Sequence, residues 1–200
     1  FINFFLKSVK EQDFQDFYLF VADGSSKDNT INILKEYNFN LSIISTNDVS
    51  SNDGINKCLK KVETKFFCIL MSDDKLGEKN YISQLIYTLN SGADIAVPNF
   101  GTIIDNKYKI KDQKNNFSNL PYHNIPPDIG WMAKTSVLKN GLFLENYKLA
   151  TSYFFLLNLY KKSYVFKRNR NVHYFLRIGG ISYKNGVLAY LEQKDVSLKF

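Results

Sequence analysis

Cysteine is nearly absent: 200 residues hold 2, Cys58 and Cys68. That is too few for a disulfide framework and fits a reducing compartment. Histidine is as rare, and His123 and His173 stand alone without paired-ligand spacing, which argues against a zinc site. No apolar run approaches the roughly 18 residues a membrane span needs. The longest, such as residues 66–71, are strand-sized. Neither Gly-x-Gly-x-x-Gly nor Gly-x-x-x-x-Gly-Lys-Ser/Thr occurs, which weakens a dinucleotide or P-loop reading. Internal repeats are missing, and so is any linker long enough to separate a pair of domains.

What is present is a globular composition. Hydrophobic residues make up 44%, with 17 Phe and 13 Tyr, enough to build a core without staples. The length suits one domain. The net charge of +7 is unevenly spread: residues 1–100 hold 10 basic and 13 acidic groups, residues 101–200 hold 16 and 6. Such asymmetry predicts two jobs, an acidic half suited to a metal or sugar and a basic half suited to anions. The sequence opens on Phe1 inside a helical pattern of Ile2, Phe5, Leu6 and Val9, with no secretory leader pattern. A natural start upstream of Phe1 is the expectation.

The first hundred residues alternate strand and helix. Strands are expected at 17–22, 41–44, 66–71 and 95–97, the last ended by Pro98. Helices are expected after Asp28 as N-cap, over 52–62 and over 81–89. This rhythm predicts an α/β fold with a mainly parallel sheet flanked by helices. Beyond Pro98 the pattern breaks. Residues 101–128 read as a loop or ragged hairpin, 149–160 as a helix, 164–166 and 172–176 as short strands, and Val187, Leu188 and Leu191 as belonging to a last helix.

In an open parallel sheet, ligands bind beyond the carboxyl ends of the strands. Those ends deliver acids to one rim: Asp23-Gly24-Ser25-Ser26, then residues 45–48 leading to Asp53, then Ser72-Asp73-Asp74. Paired carboxylates after a buried strand suit a hard divalent cation, which in turn holds a diphosphate. Each motif alone is also ordinary turn or capping chemistry.

Five segments, in order, carry a resemblance. VADGSSKDNT at 21–30, STNDVSSNDGINKC at 45–58, ILMSDD at 69–74, GLFLENYKLATSYFFLLNLY at 141–160 and YFLRIGGIS at 174–182 resemble the motifs of family 2 glycosyltransferases of the GT-A fold. The resemblance implies a GT-A α/β fold, with 1–98 as the donor-binding portion and 99–200 as the acceptor-side portion of one domain. It implies that Asp23 contacts the nucleotide base, that Gly24 and Ser25 shape its turn, and that Asp53 lies along the pocket. It places Asp73 and Asp74 at the metal-binding carboxylates, with Mn²⁺ or Mg²⁺ as cofactor and Asp74 as the direct ligand. It implies a nucleotide-sugar donor, a UDP-sugar above all, a glycan or lipid-linked acceptor, inversion at the anomeric carbon, and cytoplasmic surface-polysaccharide or glycolipid assembly. It also implies that the family's first strand precedes Phe1, so that a sheet edge or core face would be exposed without it.

The acceptor half departs from the pattern. Ser152 stands where the family's base is expected, and Leu144 replaces an acid beside Glu145. Asp128 is the candidate substitute base; the competing reading is a catalytically impaired domain that binds nucleotide-sugar or a partner. Trp131 reads as an acceptor-side aromatic or a core residue. Arg177 reads as a phosphate contact or a surface pair. Lys161, Lys162, Lys167, Arg168 and Arg170 form a basic cluster, read as a solvated face or as peripheral contact with anionic lipid at the membrane's inner face. Acids at the strand ends argue against a nucleic-acid partner.

Overall fold

The computed structural model describes residues 1–45, 51–111, 116–122, 129–143 and 146–200. Helix α1 (Ile2–Lys10) buries Phe5, Leu6 and Val9, the face its sequence spacing predicts. Strand β1 (Leu19–Asp23) leads through α2 (Thr30–Glu36) to β2 (Leu41–Ser45). β1 and β2 pair in parallel from Leu19 opposite Leu41 to Asp23 opposite Ser45. The cap of α2 is Asn29, and Asp28 before it accepts the Thr30 amide at 3.0 Å. Helix α3 (Ser51–Leu59), β3 (Phe66–Cys68), β4 (Lys75–Leu76) and α4 (Tyr81–Asn90) complete the first half.

The second half builds most of the larger sheet. Its elements are β5 (Ile95–Ile104), β6 (Lys107–Ile110), β7 (Met132–Lys134), α5 (Thr151–Lys161), β8 (Phe166–Arg177), α6 (Ile181–Lys184) and α7 (Gly186–Leu198). Short 3-10 turns at Phe117–Asn119 and Thr135–Asn140 link them. The order is β3-β7-β5-β8-β4, with β6 on β5.

The expected mainly parallel sheet is corrected to a mixed one. β5 and β8 run parallel, whereas β3–β7, β5–β7, β4–β8 and β5–β6 are antiparallel. The β1–α2–β2 crossover and the path from β5 to β8 carry a helix and return in the same direction, whereas the short β5–β6 connection can only make a hairpin. β5 and β6 are joined by Asp105 and Asn106, both at positive φ (48° and 60°), the backbone of a two-residue hairpin turn.

Pro98 does not end its strand. β5 passes through it, and the register with β8 slips between Pro98 and Asn99. A bulge lets a central strand tolerate a residue without an N–H. The two short strands expected at 164–166 and 172–176 are one, β8, whose residues 170–172 form the slack opposite that slip. β5 also crosses the boundary drawn at residue 98, so the donor and acceptor portions share a strand.

The core centres on α4, α5 and the larger sheet, with Tyr81, Leu85, Leu89, Ile95, Trp131, Tyr153, Leu156 and Tyr174 fully buried. Each such large side chain contributes about 1.5–3 kcal/mol through removal from water. β1 and β3 are not paired with each other. A largely apolar cavity of about 880 Å³ lies between them, lined by Phe20, Val21, Phe66, Phe67, Leu6 and Ile55 among others. Cys58 and Cys68 remain thiols. No described helix is long and apolar enough to cross a membrane.

Candidate functional site

The carboxyl ends of β1, β2 and β3 and the start of α3 meet one region. Gly24, Ser51, Gly54 and Ser72 all line the cavity between β1 and β3. Asp23 closes β1 and is 5% exposed. Its carboxylate accepts the Ser26 amide at 3.1 Å and the Ser45 hydroxyl at 3.0 Å. Hydrogen bonding by Ser26 above all, then by Ser45, holds it below the usual carboxylate range against the opposing effect of burial. Ser25 adopts φ 65°, which reverses the chain after the strand and leaves Gly24 open around its Cα. Asp53, on the first turn of α3, pairs with Lys57 one turn on at 2.7 Å.

The acidic turn Ser72-Asp73-Asp74 is held by β8. The Arg177 amide donates to Asp74 Oδ1 at 2.9 Å, and Arg177 Nε donates to the Asp73 carbonyl at 3.0 Å. The Met71 amide donates to the Tyr174 hydroxyl at 3.1 Å. Asp74 is 3% exposed. Burial, with the neighbouring Asp73 charge adding to it, pushes its carboxyl up to about 7 against the Arg177 amide. The Tyr174 ring in turn packs on Gly130, which sits at φ 89° and where an added Cβ would meet the ring at 2.4 Å. The Arg177 guanidinium covers Phe1 at 4.5 Å, so α1's start joins the same rim.

This donor set fits a divalent cation on a physical test. A carboxylate buried beside a like charge is poorly solvated, and a cation there replaces the missing water. Among the described residues no three of His, Cys, Asp and Glu gather to form a complete cage. Mg²⁺ and its like are ordinarily held by one or two carboxylates plus substrate phosphates, so two adjacent acids suffice.

The acceptor-side expectations fare differently. Trp131 is 0% exposed, edge-on to Phe67 at 5.8 Å and stacked on Phe155 at 5.8 Å. Of its two readings, acceptor-side aromatic and core residue, this burial and these ring contacts favour the core one, and β7, which begins just after it, pairs with β3 and β5. Ser152 is 7% exposed in the first turn of α5. Asp128 and Glu145 lie outside the described residues. The basic cluster divides. Lys161 and Lys162 close α5, while Lys167 donates to the Ser91 carbonyl at 2.6 Å and Arg168 to the Pro98 carbonyl at 2.9 Å. Arg168 is also stacked on Phe117, and burial pushes its guanidinium down to about 10.

Three supporting residues carry no obvious chemical label in the sequence. Tyr174 braces the acidic turn. Asn52 donates to the Tyr147 carbonyl and the Thr151 hydroxyl, both at 2.8 Å. Asn56 donates to the Phe143 carbonyl at 2.8 Å and accepts the Phe143 amide at 2.9 Å. These asparagines tie α3 to Phe143 and to the start of α5. The signal for Tyr174 lay in its motif; the asparagines offered only their polarity at inward positions of an otherwise apolar helix face.

A family model described as Glycosyl transferase family 2 matches residues 1–172. No curated protein matches the chain in sequence. Among solved structures, S. aureus TarS in complex with UDP-GlcNAc superposes with a TM-score of 0.76 at 20% identity, covering 92% of this chain and 57% of that one. TarS in complex with UDP gives 0.70 at 20% identity, covering 96% and 61%. The mannosyltransferase PcManGT from Pyrobaculum calidifontis, in complex with GDP-Man and Mn²⁺, gives 0.72 at 13% identity, covering 96% and 57%. These likenesses show a shared GT-A fold. The chain spans a little over half the length of these neighbours.

Proposed function

Because the chain belongs to glycosyl transferase family 2, we propose that it moves a sugar from a nucleoside-diphosphate donor to a hydroxyl of a glycan or lipid-linked acceptor, with inversion and with Mn²⁺ or Mg²⁺. The carrying observation is that Asp23 and the Asp73–Asp74 turn stand at the carboxyl ends of β1 and β3, with Gly24 and Ser72 lining one cavity between them. Neighbours in complex with UDP-GlcNAc, UDP and GDP-Man support a nucleotide-sugar donor.

In this reading Asp23, held ionised by Ser26 and Ser45, keeps lone pairs to accept an N–H of the base. Gly24 and Ser25 let the backbone approach the nucleotide, and Asp53 borders it. Asp73 and Asp74 would hold the cation, which as a Lewis acid would stabilise the departing diphosphate. Arg177 holds the turn, its amide on the Asp74 carboxylate and its guanidinium on the Asp73 carbonyl, and brings a permanent charge to the diphosphate side. A carboxylate takes the proton of the acceptor hydroxyl as it attacks the anomeric carbon, and Asp128 is assigned that role. Residues 1–98 serve the donor and 99–200 the acceptor, in polysaccharide or glycolipid assembly on the cytoplasmic side.

Ser152 motivates a second reading, a donor-binding module that does not transfer: a serine hydroxyl is a poor base at neutral pH, and this one is buried. One experiment separates them. Incubation of the full chain with UDP-sugars, Mn²⁺ and glycan or lipid-linked acceptors yields glycosylated product and UDP if the first reading holds. Metal-dependent donor binding without product selects the second. Absence of binding by every nucleotide-sugar sinks both.

A further inference from the structure

Helix α7 is docked on the body by its polar side. The Glu192 carboxylate accepts the amides of Lys148, Leu149 and Ala150 at 3.1, 2.7 and 3.0 Å, capping the start of α5. Asp195 is held by the Tyr147 hydroxyl and by Lys199, each at 2.7 Å, and Ser197 meets the Tyr153 hydroxyl at 2.9 Å. Val196 is the one buried apolar residue of the helix.

The opposite side is apolar and turned outward, the reverse of an ordinary surface helix. Val187 and Leu198 are 77% exposed, Tyr190 65% and Leu191 54%, and Tyr183 in the preceding α6 is 71% exposed. Val187, Leu191, Lys194 and Leu198 recur at three- and four-residue spacing, so they share one stripe. A contiguous exposed stripe of this kind marks an interaction surface.

Charge decides the occupant. The acids of residues 181–200, Glu192 and Asp195, are both engaged in the docked contacts just described. The outward side carries Lys184 and Lys194, both exposed, within or beside the apolar stripe. Lys161 and Lys199 flank the end of α7, Lys161 donating to the Phe200 carbonyl. A second copy pairing through this face by a two-fold axis would set like charges together. Exposed Tyr, Leu and Val interspersed with Lys, with both nearby acids engaged elsewhere, are instead the chemistry that meets an anionic lipid surface.

We propose that the outward face of α6–α7 is a peripheral membrane-docking surface, seating Val187, Tyr190, Leu191 and Leu198 among acyl chains and Lys184 and Lys194 among anionic headgroups. It is a different surface from the β8 cluster, whose Lys167 and Arg168 are turned onto backbone carbonyls. It also lies beyond the residues matched by the family model, 1–172.

The test is co-sedimentation of the full chain with vesicles, without donor or metal, so it is independent of the transferase reading. One set of vesicles mixes phosphatidylglycerol with phosphatidylcholine; the other is phosphatidylcholine alone. The expected result is binding to the anionic vesicles that weakens with salt and falls about tenfold or more in K184E/K194E. L191S/L198S, which touches exposed positions only, falls similarly with an unchanged circular dichroism spectrum. Equal binding to both vesicle types, no binding, or binding indifferent to both variants overturns the proposal. So does concentration-dependent dimerisation abolished by L191S, which would assign the face to a second copy.

Discussion

The Arg177 amide donates to Asp74 Oδ1 at 2.9 Å, tying the last sheet strand to the acidic turn between β3 and β4. The contact joins residues 103 positions apart in sequence, and it makes the site's geometry depend on β8. Substitutions along this brace are therefore expected to lower stability and, in the proposed transferase, cation-dependent donor binding.

Tyr174→Phe keeps the buried ring and deletes the hydroxyl that accepts the Met71 amide. Loss of that partner costs about 1–2 kcal/mol, read by denaturant unfolding. Cation-dependent UDP affinity falls with it, because the turn bearing Asp73 and Asp74 loses its brace. Unchanged stability and unchanged affinity together would show that the hydroxyl braces nothing.

Gly130→Ala meets two obstacles, a positive φ of 89° and a ring carbon of Tyr174 2.4 Å from the new Cβ. Backbone strain and overpacking together lower stability by about 2–4 kcal/mol. A thermal melt checks this; a variant as stable as the parent would mean that Tyr174 moves aside without cost.

Asn56→Ala strips the Phe143 amide and carbonyl of their side-chain partner at a buried site. About 2–4 kcal/mol is lost, since two backbone groups are left unsatisfied. Asn56→Asp restores the acceptor but not the donor and falls between the two. Amide hydrogen exchange at Phe143 reports the break directly.

Asp94 gives a pH signature. It lies just before β5 and accepts Lys134 of β7 at 2.8 Å and the Val165 amide before β8 at 3.0 Å. Burial alone would raise its carboxyl, but Lys134 and the Val165 amide outweigh that and hold it below the ordinary value. A depressed folded value means stability present above the unfolded value of about 3.9 and lost as pH falls through the folded one. Asp94→Asn is therefore less stable than the parent at neutral pH, and the gap closes on acidification below about pH 4. A gap that widens in acid would reverse the assignment.

The helices α1 and α4 were legible because their apolar spacing matches the faces they bury, and α5 because it is apolar along most of its length and buried on most sides. β1 and β2 were legible as short apolar runs with turn residues after them. The pairing of the larger sheet was not, because Phe67 of β3 lies opposite Ala133 of β7, far along the chain, and nothing local in either strand encodes that partner. Pro98 read as a stop because its missing N–H forbids a regular ladder; the bulge that accommodates it is made by β8. The positions of Asp23 after β1 and of Asp73–Asp74 after β3 were legible from strand ends, whereas Trp131 read as an acceptor-side aromatic or a core residue, because an aromatic beside a strand reads the same whether it faces a ligand or a core. Tyr174 and Asn56 act through backbone partners far away in sequence, which composition does not reveal.

In the proposed function, the Asp73–Asp74 turn, braced by β8, would hold the cation that binds a nucleoside diphosphate. The most direct test of this is calorimetric titration of UDP into the full chain with and without Mn²⁺, repeated on Asp73→Ala and Asp74→Asn. Mn²⁺ is expected to tighten UDP binding about tenfold or more in the parent, and both variants are expected to lose this enhancement while still melting cooperatively. Mn²⁺-enhanced UDP binding that survives in both folded variants would contradict it.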